Sequence, residues 1–107
     1  MAFIDTRELD VLERRPGWLG RYYDSESMSF GWYEFREGST IHAHHHPQEE
    51  VWHVLEGELE ITVDGVRQRA GPGCVAIVPA EGTHAVRALT HGRALVVDHP
   101  RRVTPQG

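Results

Sequence analysis

At 107 residues the chain has room for one domain, and 39% hydrophobic with 25% charged residues is ordinary globular composition. A net charge of −5 excludes nucleic acid as the expected partner, because phosphate binding needs a basic face, and no apolar run is long enough to span a bilayer. The single Cys74 excludes an intrachain disulfide, and a polar, acidic amino terminus unlike a secretory signal leads us to expect a cytoplasmic protein.

In chain order, Asp5 to Arg15 places Leu9 and Leu12 at helical spacing with Val11 beside them, which fits a turn or two of helix before Pro16-Gly17, or an irregular arm. From Trp18 the pattern changes to short strands. Met28, Phe30 and Trp32 alternate with Ser29, Gly31 and Tyr33, a period of two. Glu50 to Leu55 forms a second run, and Leu59, Ile61 and Val63 alternate with Glu60 and Thr62. Asp64-Gly65 predicts a two-residue hairpin into Val66 to Arg69, since both positions tolerate positive φ. Gly71-Pro72-Gly73 turns the chain into Cys74 to Val78, apolar throughout and therefore expected to be covered on both faces. Strands around His84 to Leu89 and Arg93 to Asp98 follow, and the tail from Pro100 is expected to be loose. About eight strands broken by Gly/Pro turns predict an antiparallel sandwich or small barrel, with side chains of one parity converging on a common interior.

Eight histidines are many for this length, and five of them lie between His42 and His53. In a strand His44 and His46 share a face while His45 points away. Pro47 then breaks the ladder, and Glu50 opens the next strand with Trp52 and Val54 on its own face. Two imidazoles and a carboxylate can thus meet, which is what an open divalent-metal site asks for: neutral nitrogen donors plus an anionic oxygen. The best candidate for a fourth donor from a distant strand is His84, which follows the Pro79 to Thr83 turn and shares parity with apolar Val86 and Ala88.

The spacing Gly38, five residues, His44, one residue, His46, three residues, Glu50, six residues, Gly57 resembles the first motif of the cupins. Gly73, five residues, Pro79, four residues, His84 resembles the second. Two positions depart from the family pattern: Glu81 stands where a glycine follows the proline, and Ala88 where an asparagine is frequent. The resemblance implies an all-β, single-domain double-stranded β-helix, a jelly-roll barrel over about 18–99 with an arm at 1–17 and a tail at 100–107. It also implies one divalent transition metal ion (Fe, Mn, Ni or Zn) held by His44, His46, Glu50 and His84. With six ligands such an ion keeps two positions open.

Other residues have two readings each. Trp52 either lines the pocket or packs in the core, and His42 either rims the pocket or is an exposed strand end. His45 and His53 have the opposite parity and are expected outside the cavity, and Cys74 reads as a small buried apolar residue. Asp98 follows Ala94 and Val96 in parity; it either faces the interior as a general base or ends the strand at the surface, paired with Arg101 or Arg102.

The layout also resembles small cupins of pectin degradation that act on unsaturated galacturonate, whose closing segment carries Asp, an aromatic, Pro and Arg. Here that segment is Asp98-His99-Pro100-Arg101-Arg102, shorter and without the aromatic, and Glu50 stands where some of those proteins have glutamine. The resemblance implies Asp98 and Arg102 as catalytic residues. The expected function is a metal-dependent enzyme on a small polar, sugar-acid-like carbonyl compound. The alternatives are an iron-dependent dioxygenase of the quercetinase-like type, or a non-catalytic metal or small-ligand module. A homodimer is expected, because the Cys74 to Val78 strand and Tyr22, Tyr23, Phe30, Trp32, Tyr33 and Phe35 exceed what one small interior absorbs.

Overall fold

The computed structural model describes residues 2–103. After a 3-10 turn at Thr6–Glu8, ten strands follow: β1 Leu12–Arg15, β2 Trp18–Asp24, β3 Ser29–Phe35, β4 Thr40–His44, β5 Glu49–Glu56, β6 Leu59–Val63, β7 Val66–Ala70, β8 Val75–Val78, β9 His84–Ala88 and β10 Gly92–His99. They form a six-stranded sheet in the order β1-β2-β3-β10-β5-β8 facing a four-stranded sheet β4-β9-β6-β7, each paired antiparallel. This is the antiparallel two-sheet architecture that the strand and turn pattern predicts, and the all-β jelly roll that the cupin resemblance implies. No helix among the described residues is long and apolar enough to cross a membrane.

The period-two pattern sets the interior directly. On β3 the inward set is Ser29, Gly31, Tyr33 and Phe35, so Phe30 and Trp32 lie on the outer face. Trp18, Tyr33, Phe35, Trp52, Leu59, Ile61 and Val86 fill the space between the sheets. Trp52 meets Trp18 edge-on at 5.8 Å and lies parallel to Tyr33 at 6.2 Å, the arrangements that ring quadrupoles favour. Burying each of the larger apolar side chains contributes about 1.5–3 kcal/mol.

The inward positions of three strands change character together at one end of the barrel. Val54 and Trp52 lead to Glu50 on β5, Ala94 and Val96 to Asp98 on β10, and Ala88 and Val86 to His84 on β9. Register then makes the polar ends neighbours: Asp98 pairs with Glu50, and His44 with His84.

Several expectations need correction. Asp5 to Arg15 contains no α-helix; only Thr6–Glu8 turns, and Leu12–Arg15 extends the large sheet through a hairpin. Cys74 to Val78 is not covered on both faces in the single chain, because β8 is an edge strand on which Val75 is 47% and Ile77 62% exposed. The tail does not leave the body at Pro100: the Arg102 N–H donates to Ser29 Oγ at 2.8 Å. The expected looseness of 104–107 lies outside the described residues. The Asp64-Gly65 hairpin forms as predicted, with φ of 48° and 82°. Gly57 takes φ 75° where a Cβ would stand 2.1 Å from the His91 carbonyl oxygen, which accounts for the glycine that closes the first motif.

Candidate metal centre

His44 ends β4, His46 lies in the loop after it, Glu50 is near the start of β5, and His84 begins β9. The sequence brings all four together. Ligand atoms of His44, His46 and His84 lie within 4.8 Å of one another, and the His44 and His84 rings are 4.2 Å apart. Glu50 Oε1 is 3.2 Å from His46 Nε2, and Oε2 is 3.0 Å from His84 Nε2. His46, Glu50 and His84 are buried, and His44 is half-buried at the rim.

Backbone carbonyls orient the three imidazoles alike. His44 Nδ1 is 2.8 Å from the His42 oxygen, His46 Nδ1 is 3.1 Å from the Gln48 oxygen, and His84 Nδ1 is 2.9 Å from the Gly82 oxygen. A carbonyl only accepts, so each Nδ1 carries a proton and each ring turns its Nε2, the atom that can ligate, inward. The Nε2 atoms of His46 and His84 are buried and make no aligned hydrogen bond. Three imidazole nitrogens and a carboxylate facing one point are the donors a cation asks for. The donor set, three neutral nitrogens and one anionic oxygen, fits a divalent transition ion.

Protonation follows the same geometry. Burial opposes the charge on Glu50, but His46, His84 and Asp98 outweigh it and hold Glu50 well below the usual carboxylate range. Burial also works against charging His84; the Glu50 carboxylate and the Gly82 carbonyl reverse this and raise it. His44 is lowered by burial, and the neighbouring His84 adds to this.

Asp98 is fully buried, which decides between its two readings: it faces the interior and pairs with Arg102 as well. Burial, and then the Glu50 charge beside it, push its carboxyl up to about 8, against a weaker pull from Arg102 Nη1, 3.3 Å from Oδ2. Near neutrality it is therefore protonated and can donate to Glu50, the one arrangement in which two adjoining carboxyls satisfy each other.

A small cavity of about 30 Å³ opens onto this cluster, walled by Arg15, Tyr33, His44, Glu50, Trp52 and Arg102 among others. Asp98 is not one of its walls but adjoins Glu50 and Arg102, which are. Trp52 fills both of its readings: it packs in the core, and its Nε1–H donates to Glu50 Oε2 at 2.7 Å. Arg15, on the amino-terminal hairpin, and Tyr33 are wall residues that sequence reasoning did not single out.

His42 is exposed despite sharing parity with His44 and His46. The β4–β9 register slips between Ile41 and His44, so one extra residue sits on β4 and resets its facing; His42 acts through its carbonyl instead. His45 is exposed near Glu81 Oε1 at 3.3 Å, and His53 is exposed on β5. Glu81, in place of the motif glycine, adopts φ 64°, and its N–H donates to the His46 oxygen at 2.8 Å. The turn keeps its shape and fixes the backbone of a candidate ligand.

Comparison with known proteins agrees with this architecture. The family described as "Cupin domain" matches residues 31–100. An uncharacterized protein of Streptomyces coelicolor is 32% identical over 81 residues, 75% of this chain and 77% of its own length. An RmlC-like cupin from Shewanella frigidimarina superposes with a TM-score of 0.90 at 22% identity, covering 96% of this chain and 94% of that one. KdgF from a Halomonas species gives 0.88 at 22% identity, covering 94% and 96%. With the family match running across both motifs and most of the strands, the chain belongs to the cupin family.

Proposed function

We propose that the protein is a metal-dependent enzyme acting on a small polar carbonyl compound, with His44, His46, Glu50 and His84 holding one divalent transition ion and Asp98 moving a proton. The single observation that carries this reading is the buried polar cluster: three imidazoles converging on one point with Glu50, and a fully buried Asp98 beside it. When bound, the ion supplies Lewis-acid polarisation of a carbonyl or hydroxyl oxygen.

This chain's residues would do the rest. Asp98, buried beside Glu50 and held by Arg102, is the carboxyl placed to move a proton, because burial favours its protonated form. Arg102 orients Asp98 through Oδ2, and the Trp52 indole fixes Glu50. Ile41 and Val96 form apolar wall that excludes water. The test is elemental analysis of protein purified without a histidine tag, followed by turnover of sugar-acid and oxo-acid panels. One ion per chain is expected, and Asp98→Asn should keep that ion while turnover falls by about 10²–10⁴. An Asp98→Asn variant of unchanged activity would refute the assigned proton carrier.

The homodimer belongs to the same reading. On the outer face of the large sheet, register aligns Ile77, Val51, Val97, Phe30 and Tyr23 in an apolar row across five strands. A second copy of the chain covering this row would bury the exposed β8 side chains. Sedimentation showing only monomer at micromolar concentration would dispose of it.

A further inference from the structure

We infer that Arg15 and Arg102 form a carboxylate-binding subsite beside the metal cluster, so that the substrate is an anion whose carboxylate seats between two guanidinium groups. This deepens the proposed function by naming a substrate class for the same site.

The two arginines come from opposite ends of the chain. Arg15 closes β1, next to the turn of the amino-terminal hairpin, and Arg102 follows β10. Both line the cavity that also exposes His44 and Glu50, the candidate ligands facing it. The hairpin that carries Arg15 and both the backbone and side chain of Arg102 are held in place. Arg15 pairs with Trp18 across a register slip in β1, the Gly17 N–H donates to Glu13 Oε2 at 2.9 Å to close the turn, and the Arg14 guanidinium lies 3.8 Å above the Tyr22 ring. Arg102 is tied by its backbone to Ser29 and by its side chain to Asp98. The guanidinium of Arg102 is thereby preorganised and loses little entropy on binding.

Charge points the same way. Burial is the largest influence on Arg15 and works against its charge; Tyr33 and Glu50 support that charge, and Arg102 opposes it. Arginine does not neutralise in proteins, so two like charges share one small cavity, an arrangement that an anion between them relieves. Even with Glu50 and Asp98 both ionised, the two arginines balance them, and a divalent ion leaves the pocket positive on a chain of net charge −5. Such a pocket concentrates anions. A planar carboxylate matches the guanidinium fork bidentately and enters a small cavity that opens to solvent. The rest of a substrate would extend outward past His44.

The experiment is calorimetric titration of the full chain, as purified and after metal stripping. The probes are malonate, D-galacturonate, the methyl ester of D-galacturonate, and inorganic phosphate. The acids are expected to bind about tenfold or more tightly than the ester, and more tightly than phosphate. Arg15→Met should weaken the acids about tenfold while leaving the ester within about twofold, and Arg15→Lys should recover part of the loss. Thermal melts and metal content of each variant separate this from misfolding or a lost ion. No saturable binding of either acid, preference for phosphate, or an acid-to-ester ratio unchanged in Arg15→Met with fold and metal intact would overturn the subsite. A chain that carries no metal yet keeps the Arg15-dependent ratio would refute the metal-enzyme reading and leave the subsite standing.

Discussion

Asp98→Asn should change how stability responds to pH in the metal-stripped protein. Asp98 is fully buried, and its carboxyl is raised to about 8 by burial and by the adjoining Glu50 charge. The unfolded chain releases this proton in the ordinary aspartate range, so above that range the native state binds more protons than the unfolded one. Stability from this group is therefore fully present at low pH and is lost as pH rises toward about 8. The limiting slope is about 1.4 kcal/mol per pH unit. Glu50, held well below its usual range, and His84, raised above its own, change their contributions mainly outside pH 5.0–6.5; His44, lowered by burial, changes within it, and all three are present in the variant, so they cancel in the comparison. Across that window wild type should lose about 2 kcal/mol relative to Asp98→Asn. At roughly 4–8 °C per kcal/mol for a domain near this size, the difference in melting temperature should change by about 8 °C or more. Urea or thermal unfolding of both chains in chelator at several pH values reads this directly. Parallel stability curves from pH 5.0 to 6.5 would refute the protonated carboxyl, and with it the proposed proton carrier.

Trp52→Phe keeps the ring in the core but removes the 2.7 Å bond to Glu50, so metal affinity should fall about 10–100-fold while the fold persists, read by competition with a chelating dye. Gly57→Ala places a Cβ 2.1 Å from a backbone oxygen at positive φ, and denaturant unfolding should show a loss of about 2 kcal/mol or more. Glu81→Gly should stabilise the chain by up to about 1 kcal/mol, because glycine takes φ 64° without a Cβ penalty and the exposed contact to His45 is worth little. A destabilised Glu81→Gly chain would mean that the His45 contact outweighs the backbone term.

The candidate site was largely legible where its signals are local. The parity of His44 and His46 and the turn before His84 lie within short segments, and short-range periodicity reports them. Parity failed at His42 because a bulge between Ile41 and His44 is set by pairing with β9, which the β4 residues alone do not encode. The apolar run at β8 misled for a related reason: composition registers hydrophobicity, not whether the strand ends at the sheet edge.

The sequence by itself determined the all-β class, the hairpin at Asp64-Gly65 and the candidate ligands His44, His46, Glu50 and His84, because turn chemistry, alternation and motif spacing all act within a few residues; it missed β1, which exists only through its pairing with β2. Only the tertiary structure decided that Asp98 lies opposite Glu50 inside the barrel, and that Arg15 and Arg102 meet at one cavity. Those contacts join distant parts of the chain, and strand register, which a single-residue slip would invert, puts them on the same face.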